Sequence, residues 1–264
     1  MFRINMSKPT LIFLLIFSPL AIFPLQDAFA IRPFFVTENA IPVAKGNSRL
    51  EYGIRYDRLS SNHKVYTETV ELTYGIMNDI DFEVEVPYIY QRRDRSGLNN
   101  IDGLGDLKIK SKLIFLKGRE ANPLSLSGQV IVKFPTCNEK DDLSKECSGE
   151  TDIGFTAIAS KEYYPLTVHL NMGYLSVRKF KDVFNYSLAF EYNTGIRGIK
   201  IVTEIAGETV RNRRIAEFSE DPLFLWTSAT YDIGYNIIVD TGLGVGLTNS
   251  SPDYTSEIGA SYNF

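Results

Sequence analysis

Apolar and polar side chains alternate with a period of two over most of the chain. At its end, Tyr254, Ile258, Ala260, Tyr262 and Phe264 share one face, and Thr255, Glu257, Gly259, Ser261 and Asn263 the other. Phe184, Tyr186, Leu188, Phe190 and Tyr192 likewise oppose Asn185, Ser187, Ala189 and Glu191. Ile80, Phe82, Val84, Val86, Tyr88 and Tyr90 oppose Asp81, Glu83 and Glu85, and Tyr235, Ile237, Val239, Leu243 and Val245 alternate with polar or glycine positions. This period predicts β-strands with one apolar and one polar face. Twelve such runs are present: 48–58, 64–75, 79–92, 104–117, 123–135, 151–162, 166–177, 183–193, 199–209, 223–232, 235–246 and 254–264.

The connections carry as much information as the strands. Gaps after odd-numbered strands are 5, 11, 15, 5, 13 and 7 residues; those after even-numbered strands are 3, 5, 3, 5 and 2. Long and short links therefore alternate, as an up-and-down sheet requires. The strands exceed the ~5–6 residues usual in soluble sheets and suit the ~9–11 that a tilted strand needs to cross a bilayer. An even strand number with short turns on one side and long loops on the other predicts an all-β fold, a closed antiparallel transmembrane barrel. It must close, because an open edge in lipid leaves backbone groups without partners. A secreted soluble sandwich is the competing architecture, but it calls for smaller residues and fewer aromatics on the apolar face.

Composition sharpens this picture. Among 264 residues, 15 Tyr and 17 Phe stand against 4 Met, 2 His and 1 Trp. Tyr56, Tyr66 and Tyr90 near the long loops, and Tyr74, Phe115, Tyr192 and Tyr231 near the short turns, are expected to form two interfacial girdles. The mean hydropathy of −0.10 does not suit a helical membrane bundle. After Ala30 no apolar run reaches the ~20 residues of a spanning helix. A terminal strand ending in Tyr262-Asn263-Phe264 has the form presented to the barrel assembly machinery, the expected partner of Phe264.

Residues 1–30 have the pattern of a cleaved secretory signal peptide: Arg3 and Lys8, an apolar stretch, and Ala28-Phe29-Ala30 as an A-x-A site. The expected division is 1–30 signal peptide, 31–47 a periplasmic N-terminal segment able to enter the lumen, and 48–264 barrel. Without Arg3, Lys8 and Asp27 the chain keeps 26 basic and 31 acidic side chains, a net charge of −5, which excludes a general nucleic-acid binder. Export places Cys137 and Cys147 in an oxidising compartment, where a disulfide is expected.

The polar face then lines the interior. Its expected charged members are Asp81, Glu83 and Glu85 on one strand and Asp106, Lys108, Lys110 and Lys112 on its neighbour, with Lys133, His169, Lys200, Glu204, Asp240 and Glu257 elsewhere. Opposed acids and lysines on antiparallel neighbours can pair across strands. Such pairs either tie the wall together or set a transverse field across a narrow pore. Eight-stranded barrels are filled by side chains and 16–18 strands leave a channel, so twelve lie between, and residues 31–47 can partly obstruct the opening.

Several stretches together resemble the phenol meta-pathway degradation family of outer-membrane transporters. They are Arg32-Pro33-Phe34-Phe35-Val36-Thr37-Glu38-Asn39-Ala40 with Gly46 and Leu50-Glu51-Tyr52-Gly53; Gly103-Leu104-Gly105-Asp106-Leu107-Lys108 with Lys112-Leu113; Gly149-Glu150-Thr151-Asp152-Ile153-Gly154 with Ser160-Lys161; and His169-Leu170-Asn171-Met172-Gly173-Tyr174. The resemblance implies an outer-membrane barrel with a transport role. The Cys137/Cys147 loop is a departure from the family's pattern.

The long loops are expected to face outward, and three are basic: Gln91-Arg92-Arg93-Asp94-Arg95, Arg178-Lys179-Phe180-Lys181 and Arg211-Asn212-Arg213-Arg214. They are solvated loops or contacts to lipopolysaccharide phosphates. A lipid hydrolase is the alternative from another class. It would draw on His63 or His169 as base, with Ser60 and Ser61 near His63, but no G-x-S-x-G elbow is present. Gly103-x-Gly105 precedes a strand rather than a helix, which removes a nucleotide loop, and no metal or cofactor is expected. The reading is a monomeric outer-membrane barrel of a Gram-negative bacterium passing small solutes, with a structural or adhesive barrel as a further alternative.

Overall fold

The computed structural model describes residues 36–93, 101–137, 147, 149–178, 182–210 and 221–264. The signal-peptide stretch and most of the three longest loops lie outside them. Thirteen strands form one sheet: β1 (Ser48–Ser60), β2 (His63–Met77), β3 (Ile80–Arg93), β4 (Ile101–Leu104), β5 (Leu107–Leu116), β6 (Leu124–Phe134), β7 (Asp152–Tyr163), β8 (Leu166–Ser176), β9 (Val183–Asn193), β10 (Ile199–Val210), β11 (Leu223–Gly234), β12 (Ile237–Gly246) and β13 (Tyr254–Asn263). Pairing is antiparallel throughout and runs between sequence neighbours, except that β4 and β5 both pair with β3 and not with each other; β1 pairs with β13, closing a barrel of twelve long strands. The wall follows from strict alternation: inward side chains are mostly buried and polar, while the outward face exposes large apolar groups.

Two departures from the alternation are physically simple. The run 104–117 is broken at Gly105-Asp106, so that short β4 and β5 pair with successive parts of β3 in registers offset by one residue. The Gly105 N–H donates to the Pro87 carbonyl at 2.9 Å, as in a bulge that re-aims a strand. Tyr235, expected to begin a strand, is instead a turn residue. Tyr235 and Asn236 have φ of 56° and 61°, the two left-handed centres of a tight hairpin whose twist suits the flanking strands.

Outward aromatics collect at the rims. Tyr254, Tyr56, Tyr66 and Tyr90 form a chain of rings with successive centroids 5.7, 5.0 and 6.0 Å apart at the long-loop end. Tyr74, Phe115, Tyr192 and Tyr231 are exposed at the other end. Tyr262 and Phe264 stack there at 5.6 Å. Amphipathic rings at both edges of an apolar band are what a bilayer's two interfaces favour.

Inside, β12 gives room to the single Trp on β11. Trp226 is buried and lies over Gly242 and Gly244; a Cβ on Gly242 would sit 2.1 Å from the indole. Gly242→Val is therefore expected to destabilise the barrel by about 1–3 kcal/mol through overpacking. The check is a lowered urea midpoint in detergent, read from Trp226 fluorescence; an unchanged midpoint would show that the ring has room to move.

Candidate functional site

The site is the barrel interior together with the stretch of chain preceding β1. Residues 36–47 run across the lumen from one wall to the opposite one. Near β1 the segment is tied down by backbone: Gly46 N–H donates to the Gly75 carbonyl at 2.8 Å, and Gly75 N–H to the Asn47 carbonyl at 3.0 Å. Gly75 is required here, since a Cβ would fall 2.0 Å from the Ala44 carbonyl oxygen. Val43 N–H then donates to Asp81 on β3 at 2.9 Å, and Ala40 N–H to the Ser160 hydroxyl on β7 at 3.0 Å. At the far end, Val36 and Thr37 N–H both donate to one carboxylate oxygen of Glu204 on β10, at 3.1 and 3.0 Å. On the ring of long strands β3 and β10 are diametric: β5 to β9 separate them one way, and β2, β1, β13, β12 and β11 the other.

Side chains complete the clamp. The Thr37 hydroxyl donates to Ser187 at 2.8 Å. Glu38 accepts from Lys112 at 3.0 Å and lies 3.9 Å from Lys110. With its amide oriented by this network, Asn171 accepts from Glu38 N–H at 2.5 Å and donates to the Glu38 carbonyl at 3.1 Å. Ser160 and His169 Nδ1 are 2.8 Å apart, so His169 orients the hydroxyl that receives Ala40. A buried irregular segment of this kind needs such partners, because its N–H groups lie away from strand ladders. Burial pushes the Glu38 carboxyl up, and the Lys112 and Lys110 ammonium groups more than offset this, holding it at about 2 against an ordinary value of 4.5.

The charged wall is a ladder set by register. Glu85, Glu83 and Asp81 oppose Lys108, Lys110 and Lys112 across β3 and β5. Lys108 reaches Glu85 at 2.8 Å; Lys110 reaches Glu83 at 2.8 Å and Glu85 at 2.7 Å. Lys200 pairs with Glu191 at 2.8 Å. Lys133 lies 3.4 Å from Asp106 and 3.9 Å from Asp152, both fully buried. Asp106 also accepts from Cys137 N–H at 3.3 Å, and Asp152 from Arg178 N–H at 3.2 Å, so both anchor the rim where the Cys137–Cys147 disulfide sits.

A cavity of 1560 Å³ passes the crossing segment and touches both rims, at Asn78, Glu120 and Tyr164 in the short turns and at Leu59, Pro222 and Ser250 at the other end. Glu83, Glu85, Lys108, Lys110, Lys112, Lys133, His169 and Lys200 border it. Asp81 and Glu204, expected on the lumen surface, lie instead beneath the crossing segment that they hold. Asp240 and Glu257 are on inward strand positions away from this cavity, and the Asp240 carboxylate packs over Gly259. Asp106 was expected on the inward face with Lys108, while the clamp residues Ser160, Asn171 and Ser187, and Asp152 of the rim pair, were not among the sequence candidates. Asp152 appeared in the sequence only as part of a motif, two residues before Gly154. Of the basic loop residues, Lys179–Lys181, Asp94, Arg95 and 211–214 lie outside the described residues.

No family model matches the chain, and no curated protein is similar to it. Solved structures are. A crystal structure of an outer membrane channel from Pseudomonas putida F1 superposes with a TM-score of 0.68 at 14% identity, over 86% of this chain and 98% of that one. The KdgM porin gives 0.57 at 10% identity, over 82% and 99%, and the NanC porin 0.57 at 12%, over 81% and 98%. The fold is thus that of outer-membrane channel barrels.

Proposed function

We propose that this chain is a narrow passive channel for small solutes in the outer membrane of a Gram-negative bacterium, with its long connections outward and both termini periplasmic. One observation carries the reading: a cavity of 1560 Å³ lined by paired charges reaches both rims although residues 36–47 cross the lumen. A barrel filled only for rigidity has no use for so polar an interior, since buried ion pairs are poor sources of stability compared with apolar packing. The likeness to channel barrels supports the architecture that a pore needs. KdgM has also been solved in complex with disordered oligogalacturonate, which is a property of that porin. Membership in the phenol meta-pathway transporter family belongs to the same proposal. Its support is that two of the motifs supply Asp106 and Asp152, which meet at Lys133 under the outer rim.

The lipid-hydrolase reading receives less support. His169 faces the lumen, where its Ser160 neighbour holds the crossing segment rather than meeting acyl chains.

Reconstituted into planar bilayers, the mature protein should give small, discrete conductance steps. Replacing Lys108, Lys110 and Lys112 by Gln should shift reversal potentials toward cations, because Glu38, Glu71, Glu83 and Glu85 then dominate that wall. Folded protein that leaves the bilayer silent at every voltage would sink the proposal.

A further inference from the structure

Among the described residues, the inward positions between the two rims carry more acid than base. Each inward cation there has a carboxylate within reach. Arg49 meets Glu51 at 2.8 Å and Arg55 meets Asp57 at 3.2 Å, both on β1. Lys108 meets Glu85, Lys110 meets Glu83 and Lys112 meets Glu38, at 2.8, 2.8 and 3.0 Å. Lys133 lies 3.4 Å from Asp106, and Lys200 2.8 Å from Glu191. At the short-turn mouth of the cavity, Lys117 and Arg119 are matched in number by Glu120 and Glu162.

Setting one carboxylate against each of these cations leaves a surplus spread around the ring. It includes Glu71 on β2, Asp81 on β3, Glu204 and Glu208 on β10, Asp240 on β12 and Glu257 on β13. These acids have partners of their own, and those partners do not cancel the charge. Asp81 and Glu204 accept neutral N–H groups of the crossing segment. Glu257 faces Arg55 in the register of β13 and β1, and that arginine is already counted against Asp57. Two of the surplus acids border the open cavity: Glu71 midway along β2, and Glu208 toward the long-loop end, where its N–H donates to the Pro222 carbonyl. Charge of one sign in a water-filled space with walls of low polarity draws in counter-ions and repels ions of its own sign.

We propose that the lumen selects small cations, organic ammonium compounds among them, and holds back anions of the same size. This rests on the channel reading above and names its substrate class. Carboxylates lining a pore are the ordinary device for cation preference. Here the paired lysines and arginines moderate the field, and the surplus acids set its sign.

The test reads the sign of the lumen without needing a current. A Thr69→Cys thiol on β2, bordering the cavity, is the probe, and the two native cysteines are joined at the rim. In detergent, a trimethylammonium methanethiosulfonate should modify it roughly tenfold faster than a sulfonate methanethiosulfonate, each rate first divided by that reagent's rate with a free small thiol. Adding Glu71→Gln and Glu208→Gln should lower this ratio roughly threefold, and adding Lys200→Gln should raise it. Potassium chloride at ~1 M should bring the ratio close to one, because screening then acts within ~3 Å. Heat-modified gel mobility reports folding; if the double acid variant does not fold, Glu208→Gln alone should lower the ratio. In bilayers, the reversal potential in a potassium chloride gradient should show cation preference, and ethylammonium chloride should carry current. Equal rates for the two reagents, faster modification by the sulfonate, or a ratio unmoved by removing acids from folded protein would each overturn the proposal. A silent bilayer with the ratio intact fails the channel reading, whereas equal rates with current flowing fail this one alone.

Discussion

Deleting residues 36–44 should raise single-channel conductance by roughly two- to fourfold, since ion flow through a pore of fixed length follows its narrowest open section. The segment crosses the lumen between Asp81 and Glu204 on diametric walls, so its removal opens the centre of the barrel rather than one edge. The strand ladders do not depend on it: β1 pairs continuously with β2 and β13 from its first residues. The deletion variant should consequently fold and retain its heat-modified gel shift, while its current steps grow. Glu204→Gln should act in the same direction and less strongly, lengthening open dwell times, because two N–H groups lose a charged acceptor and such bonds are worth ~1.5–3 kcal/mol each. A deletion variant with wild-type conductance would show that ions pass beside the segment without being limited by it.

The same prediction has a pH signature. The Glu38 carboxyl is held at about 2 when docked against Lys112 and Lys110, below its ordinary 4.5. A lowered carboxylate value contributes to docking in full above about 4.5, and that contribution is lost as pH falls through about 2. Conductance should therefore be flat between pH 7 and 5 and rise as pH drops from 4.5 toward 2, and Glu38→Gln should blunt the rise. A response centred near neutrality instead would point to a different latch.

The strands were legible because a two-faced wall imprints a period of two over ten or more residues, and the alternation of short and long gaps orders them around the ring. What alternation does not encode is register. The offset at Gly105-Asp106 changes which residues of β3 and β5 face each other, and only then do Glu85 and Lys108, Glu83 and Lys110 become partners. Tyr235 was misplaced for a related reason: its apolar ring suits the strand face, and the left-handed backbone of the turn is favoured by neighbouring Asn236 rather than by Tyr. The crossing segment was legible only as a length of chain before β1. Its anchors are single hydroxyls and carboxylates on β3, β7 and β10, up to 168 residues away, receiving backbone N–H groups that leave no side-chain pattern. Trp226 and the glycines beneath it are the converse. Gly242 and Gly244, two positions apart, mark a wall thinned for a large neighbour, yet the sequence does not say which one.

Lys110→Met should be the most destabilising single change in the charged wall, at about 3–5 kcal/mol, the usual effect of removing one member of a buried ionic cluster. Lys110 bridges two acids at 2.7 and 2.8 Å and lies 3.9 Å from Glu38, and its side chain is only 13% exposed. Carboxylate oxygens of Glu71, Glu83 and Glu85 lie within 4.8 Å of one another, so removing the ammonium leaves like charges crowded in a space of low polarity. Lys108→Met is the internal comparison. Its ammonium contacts Glu85 at 2.8 Å from a more open position, so its loss should cost about 1 kcal/mol. The cause can be separated from lost packing by a double-mutant cycle: Glu83→Gln should cost stability alone and restore part of it in the Lys110→Met background. Urea unfolding in detergent at neutral pH reads all four proteins. Additive effects, with no recovery in the double variant, would mean that the lysine stabilises the wall through its hydrocarbon stem. Recovery would mean that the acids of β3 fold as they do because Lys110 is there, which makes the charge proposed to tune the pore also a condition for building it.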